Sequence, residues 1–282
     1  MRQLVKVITQ KILKLDLLFL YNIQRLNSFL DHSDCIQNSN PIDVEEALKL
    51  TVPVGCSKTL IRIGGNSDGA YLLPNDLAGI EACFSPGTSN IKAFEDELAE
   101  TYQIRSFMTD GSVKSESLNL VKGYQYFQEK WLNGFNDKNS MTLSSWIYNA
   151  KLVNSNNLLL QMDIEGAEYE SIITTSESTL KQFRIIVIEF HNLDYLRNER
   201  FLNQRFVPVM RRILQNFDCV HAHPNNSDPL FNICGFEVPK TLELTFYRKD
   251  CNEGNKRKFI PHEKDIKNDP MQEQIHLGIP WI

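Results

Sequence analysis

The run Asn157-Leu-Leu-Leu-Gln-Met-Asp163-Ile-Glu165-Gly-Ala-Glu168-Tyr-Glu170 constrains the fold more than any other stretch of the chain. Five nearly unbroken apolar positions end abruptly in acidic residues, and the text that follows has helical character. A strand that reads as apolar throughout is buried on both faces, as in a parallel sheet. Similar runs recur at 82–84, 104–108 and 185–190, with helical segments between them. Such alternation predicts an α/β fold with a mostly parallel, doubly wound sheet. Ligands of open α/β sheets bind outside the carboxyl ends of the strands, so Asp163 and Glu165 should project into the binding crevice.

The chain has 282 residues, 42% of them apolar and 23% charged, enough for one large core with extensions. Its formal net charge of -5 argues against a nucleic-acid binder held by phosphate neutralisation, and small or neutral substrates suit it better. Cys35, Cys56, Cys83, Cys219, Cys234 and Cys251 form no CxxC pair. They read as reduced thiols of a cytoplasmic protein. Near the N-terminus, Leu4, Val5, Ile8, Ile12, Leu15, Phe19 and Ile23 make a helical stripe, with Arg2, Lys6, Lys11 and Lys14 mostly on other faces. Its longest apolar run, 17–21, is far short of the roughly 18 residues of a membrane span. This helix suits packing against the main domain or another subunit, and a basic amphipathic helix also suits a membrane surface. Oligomeric state is open. The expected organisation is an N-terminal helical extension with a polar linker over 1–48, a main domain over 49–250 and a charged, proline-punctuated tail over 251–282.

Within the main domain, Ser85-Pro86-Gly87-Thr88-Ser89-Asn90 falls between a short strand and a helix, where a doubly wound fold places its first ligand-binding turn. It has neither a GxGxxG nor a GK[ST] pattern, which weakens dinucleotide and P-loop readings. Ser89 or Asn90 is expected to cap the helix carrying Phe94, Leu98 and Tyr102. Asp110 ends the next strand about twenty residues on, where an acidic side chain accepts from ribose hydroxyls. Glu189 and His191 end a further strand. His221 and His223 end another and lead into Pro224-Asn225-Asn226. Carboxylates and imidazoles on one rim suit proton transfer or a divalent metal, although the spacing matches no zinc signature. Residues 61–71 predict a glycine-rich hairpin bearing Arg62 and Asp68, and 242–247 predict a last, antiparallel strand at the sheet edge.

Taken together, Arg62-Ile-Gly-Gly-Asn-Ser-Asp68-Gly, Cys83-Phe-Ser-Pro-Gly-Thr-Ser-Asn90, Met141-Thr-Leu-Ser-Ser-Trp146 and Gln161-Met-Asp-Ile-Glu-Gly-Ala-Glu168 resemble the FkbM-type family of S-adenosylmethionine-dependent methyltransferases. Ile188-Glu-Phe-His191 and His221-Ala-His-Pro-Asn-Asn226 support the resemblance, which runs from about residue 55 to 250. It implies a class I methyltransferase fold, Rossmann-like, and methyl transfer from S-adenosylmethionine to a hydroxyl of a sugar or other small metabolite. By position, Ser85, Pro86, Gly87, Thr88, Ser89 and Asn90 would hold the methionine part of the cofactor, Asp110 its ribose, and Asp163 would lie near the methyl. Asp163, Glu189, His191 and His223 are the candidate proton acceptors, with magnesium an option at the same rim and no metal ligands assigned. Arg62, Asp68, Glu165 and Asn225 are the candidate substrate contacts. A metal-dependent sugar-nucleotide transferase, and a non-catalytic binding protein on a methyltransferase scaffold, are the alternatives.

Overall fold

The structure is a computed structural model, and it describes residues 38–66, 68–254 and 260–282. The expected amphipathic helix near the N-terminus lies outside the described residues. The first helix, α1 (Pro41–Lys49), starts where the local chemistry allows it. Asn40 accepts from the Ile42 N–H at 2.7 Å, and Pro41 brings a preset φ and no amide proton to the first turn. Val44, Ala47 and Leu48 form its buried face.

The centre of the molecule is a seven-stranded sheet ordered β10-β13-β9-β8-β3-β4-β5. These strands are β3 (Ala82–Pro86), β4 (Arg105–Thr109), β5 (Gln125–Gln128), β8 (Leu158–Met162), β9 (Phe183–Phe190), β10 (Phe217–Pro224) and β13 (Leu242–Arg248). The pairings β3·β4, β3·β8, β4·β5 and β8·β9 are parallel. Only β13 is reversed, pairing antiparallel with both β9 and β10. A hairpin of β1 (Leu60–Ile63) and β2 (Tyr71–Pro74) leans on one sheet face, and β11 (Leu230–Ile233) and β12 (Phe236–Pro239) form a second hairpin. The two-residue strands β6 (Trp131–Leu132) and β7 (Ser140–Met141) make a small parallel pair.

The period-two geometry of a strand sorts the core into two layers. Leu158, Leu160 and Met162 of β8 belong to the larger apolar cluster, under α1, α3 (Leu143–Asn149), α4 (Glu168–Thr174) and the helix Val207–Leu214. Leu159 faces the opposite way, into a cluster with Tyr71 of β2 and with Phe94 and Leu98 of α2 (Ala93–Glu100). Phe84 of β3 stands edge-on to Trp146 and Phe183, with ring centroids 5.1 and 6.2 Å away. The five cysteines among the described residues are free thiols.

Four expectations need correction. The antiparallel strand is not at the edge, because β10 pairs along its outer side and β13 is buried through six of its seven residues. The opposite edge is β5, whose half-polar Gln125-Tyr-Phe-Gln text was not read as a strand. Helix α2 begins after Lys92, which makes no side-chain cap bond, while the Ser89 hydroxyl accepts from Ile91 N–H at 3.2 Å one turn too early to cap it. The helical spacing of Phe206, Val209, Met210, Ile213 and Leu214 predicts one helix over 201–217, whereas the chain is α-helical at Glu199–Phe201 and Val207–Leu214, with a π turn at Leu202–Phe206 between them.

The tail folds back on the domain. Trp281 is fully buried and its indole N–H donates to Thr51 Oγ1 at 2.8 Å. Between 260 and 273 the chain crosses the strand ends, where Asn226 donates to the Asp269 carbonyl at 2.8 Å. No helix among the described residues is long and apolar enough to cross a membrane.

Candidate active site

The carboxyl ends of β3, β4, β8 and β9 lie side by side in the sheet, so the residues just beyond them share one rim. After β3 the chain turns at Gly87, with φ +89. Its N–H donates to Thr109 O at 2.8 Å, and the neighbouring Pro86 carbonyl accepts from Asp163 N–H at 3.2 Å. A Cβ at Gly87 would stand 1.5 Å from the Asp163 carbonyl oxygen. Glycine is therefore required twice, for the left-handed backbone and for the contact between two strand-end loops.

Asp110 holds this turn from β4. Its carboxylate accepts from Ser89 N–H at 3.1 Å on one oxygen, and from the N–H and hydroxyl of Ser112 at 2.7 Å on the other. The remaining turn residues divide by direction. Ser85 is fully buried and its hydroxyl meets Gln161 Oε1 at 2.6 Å and Glu95 Oε1. Thr88 is also buried and donates to Ser85 O at 2.9 Å, while Ser89 and Asn90 are exposed. Burial raises the Glu95 carboxyl to about 7.

The turn after β8 delivers the acidic block. Glu165 has φ +56 and Gly166 φ +101, and a Cβ on Gly166 would come within 2.5 Å of the Asn192 amide nitrogen. Glu168 opens α4 fully buried, and its Oε1 accepts from Ile164 N–H at 3.2 Å and Gly166 N–H at 3.1 Å. The same oxygen lies 3.0 Å from His191 Nδ1. On the other side of the ring, Nε2 faces Glu165 Oε2 at 3.5 Å, Asp163 Oδ1 at 3.6 Å and Glu189 Oε1 at 4.0 Å. Asp163 Oδ1 is buried without a hydrogen-bond partner.

These contacts set the charge states. Burial opposes a charged His191, yet the carboxyls of Glu168, Glu165 and Asp163 overcome it and hold the imidazolium well above its ordinary range. Burial, reinforced by Glu189, pushes the Asp163 carboxyl up. Glu189 rises to about 8, chiefly through burial, and accepts from Asn225 Nδ2 at 2.8 Å and Tyr71 Oη at 3.2 Å.

His223 stands apart from this cluster. The sheet register aligns Glu189 with Glu243 and Glu243 with His223, so β13 separates His223 from Glu189, two of the four candidate proton acceptors. His223 Nδ1 lies 3.3 Å from Glu243 Oε2, and Nε2 is buried without a partner. Burial opposes charge on this ring too, but Glu243 and Asp265 raise it overall. His221 turns instead to the tail, its Nε2 2.9 Å from Asp265 Oδ1. Asn268, also from the tail, donates to Glu243 Oε1 at 2.6 Å and Asp68 Oδ1 at 3.1 Å, tying the first hairpin to the rim. On that hairpin Arg62 donates to the Gly65 carbonyl at 2.8 Å, and burial lowers its guanidinium despite Glu243 and Asp265 nearby.

The structure thus gathers Asp163, Glu165, Glu189, His191 and Asn225 in one cluster, brings Asp110 and Gly87 to the adjoining turn, and leaves Ser85 facing the interior. Sequence reasoning assigned no site role to Glu168, Tyr71, Glu243 or Asn268. An acidic residue inside the apolar text of β13 was the available signal for Glu243. Asp163, Glu165 and His191 present ligand atoms within 4.8 Å of one another. Magnesium prefers oxygen ligands in octahedral geometry, whereas imidazole suits zinc, copper, iron and nickel. Carboxyls that favour the protonated form of His191 make the imidazole a poorer ligand still, so this cluster does not fit magnesium.

Among curated proteins none matches this chain. The methyltransferase FkbM domain matches residues 97–237, half of the chain, and takes in Asp110, the acidic turn after β8, His191, His223 and Asn225. The strand order, with one reversed strand set between β9 and β10 in an otherwise parallel sheet, is consistent with a Rossmann-like methyltransferase. On this match and this architecture, the chain belongs to the FkbM methyltransferase family.

Proposed function

We propose that the protein methylates a hydroxyl group on a sugar or another small metabolite, with S-adenosylmethionine as methyl donor. The observation that carries this reading is the closeness of two features, the glycine turn at Gly87 and the acidic turn at Asp163, which touch through their backbones. The residues fit the cofactor. The Gly87 turn, with Ser89 and Asn90 exposed at its end, offers backbone and polar groups to its methionine part, and the Asp110 carboxylate sits one strand over, where ribose hydroxyls could exchange for its present donors. When bound, S-adenosylmethionine supplies an electrophilic methyl group on a sulfonium.

His191 is the base in this reading, acting from its neutral form, so that turnover rises with pH through its raised titration, and Nε2 is the atom that takes the hydroxyl proton. The carboxyls that raise its pKa stabilise the imidazolium so formed. Asp163 and Glu165 line the approach, Glu189 is fixed by Asn225 and Tyr71, and Arg62 and Asp68 flank the acceptor side. Orientation of the hydroxyl against the methyl is worth roughly 7–11 kcal/mol, more than the 10²- to 10⁴-fold that a general base supplies. A low net charge and an acid-lined rim favour small-molecule acceptors over nucleic acid. Isothermal calorimetry with S-adenosylmethionine and S-adenosylhomocysteine tests the reading. Binding of both, with methyl transfer to a hydroxylated acceptor, supports it. Binding of neither defeats it, and binding without turnover on any hydroxylated acceptor favours a binding protein.

A further inference from the structure

We propose that Glu168 is the positioning residue of this site, holding the His191 ring by Nδ1 so that Nε2 is the nitrogen presented to the acceptor hydroxyl. The proposal rests on the reading of His191 as the base, and it concerns a side chain buried behind the ring on its Nδ1 side. Glu168 is the nearest of the four carboxyls around the ring, at 3.0 Å, against 3.5 Å for Glu165, 3.6 Å for Asp163 and 4.0 Å for Glu189. It is also fully buried, so water does not compete for the contact. An imidazole with a carboxyl acceptor at Nδ1 keeps its proton there, and the tautomer with a free Nε2 follows.

The same oxygen does a second job. By accepting from Ile164 N–H and Gly166 N–H, Glu168 fastens the turn that carries Asp163 and Glu165. Tyr169, the next residue of α4, donates from its hydroxyl to the His191 carbonyl at 2.7 Å. One helix start therefore sets the distance between the base and the acidic turn, which is the geometry a proton transfer depends on. The charged and titratable groups facing the ring come from three elements: Glu168 from α4, Asp163 and Glu165 from the turn after β8, and Glu189 from β9. A residue that only capped the helix would leave the ring's tautomer and titration alone.

The test is nitrogen-15 NMR of the histidine side chains in the cofactor-free protein, with a pH titration of the wild type and of Glu168→Gln. Glutamine keeps an acceptor oxygen for the two amides and the ring but removes the negative charge. The expected wild-type spectrum shows His191 with a protonated Nδ1 through its titration. In Glu168→Gln the protonation constant of His191 falls tenfold or more, while that of His223, which faces Glu243 and Asp265, stays within twofold. A neutral His191 carrying its proton on Nε2 in the wild type overturns the proposal, and this needs no variant to fold. An unchanged His191 titration in a folded Glu168→Gln protein overturns it as well. The methyl-transfer reading fails separately, in calorimetry with S-adenosylmethionine, so the two failures are distinguishable.

Discussion

Replacing Glu95 by glutamine should stabilise the protein by an amount that depends on pH. Glu95 lies in the first turn of α2, 2% exposed, beneath the Gly87 turn. Its carboxyl is raised from 4.5 to about 7, first by burial, against a lowering hydrogen bond from Ser85. A carboxyl whose folded pKa exceeds its unfolded value must hold a proton, or bear a buried charge, to stay folded. Below about pH 4.5 both states are protonated and nothing is lost. As pH rises from there the unfolded chain releases its proton first, and the penalty on folding grows until it levels off above about pH 7. A shift of about 2.5 units at 1.36 kcal/mol each gives a full penalty of about 3 kcal/mol. Hydrogen bonding agrees with this sign. The single proton of the Ser85 hydroxyl faces two acceptor oxygens, on Glu95 and Gln161, and a protonated Glu95 resolves the conflict by donating. Glu95→Gln supplies that donor permanently. Guanidinium unfolding at pH 5 and pH 8 should show the variant more stable by about 1 kcal/mol at the lower pH and about 3 kcal/mol at the higher. Other titrating groups are common to both proteins and cancel. An equal difference at both pH values, or a variant less stable at pH 8, would refute the argument.

Substitutions at three further positions probe the turn and the tail. Gly87→Ala forces a methyl group onto the Asp163 carbonyl and a left-handed backbone onto alanine. It should lower stability by about 3 kcal/mol or more and abolish S-adenosylmethionine binding, read by thermal unfolding and calorimetry. Asp110→Asn keeps the size of the side chain but removes the charge that organises Ser89 and Ser112. Affinity for S-adenosylmethionine should fall about tenfold, equivalent to about 1.4 kcal/mol, with little change in unfolding midpoint. Trp281→Ala empties a fully buried position and leaves Thr51 without its donor. The loss should be about 3–5 kcal/mol, and Trp281→Phe, which loses the hydrogen bond but most of the ring volume remains, should recover the larger part in denaturant titrations.

How much the sequence disclosed depended on which physical signal each element carries. The parallel strands β3, β8 and β9 were legible because burial on both faces writes a nearly unbroken apolar run, and β4, with Arg105 exposed, from Phe107 and Met108 after Ile104. Asp163, Glu189 and His191 were legible because each ends such a run. Strand β5 was not, since an edge strand buries little, and Gln125-Tyr-Phe-Gln carries buried Gln125 beside exposed Tyr126. Glu168 was not legible as part of the site, because its contact with His191 joins residues 23 apart through the sheet.

The misplacement of β13 has the most instructive cause. Leu242-Glu-Leu-Thr-Phe alternates apolar and polar residues, which is how a strand with one wet face reads, and an edge position follows from that assumption. Here the polar face is also dry. Thr245 donates to the Leu72 carbonyl of the hairpin at 2.7 Å, and Glu243 meets His223 and Asn268. Local periodicity reports only whether a residue is apolar, so a polar residue buried against a partner from a distant segment is indistinguishable from one facing water. Asn268 comes from the tail, 25 residues further on, and has no periodic text of its own. The same blindness hid the acceptor side of the rim, because its polar row from Glu189 through Glu243 to His223 exists only once the reversed strand is inserted between its two neighbours. The residues of such a site can be named from their places at strand ends, whereas their grouping depends on strand order, which the sequence pattern left unread at β13.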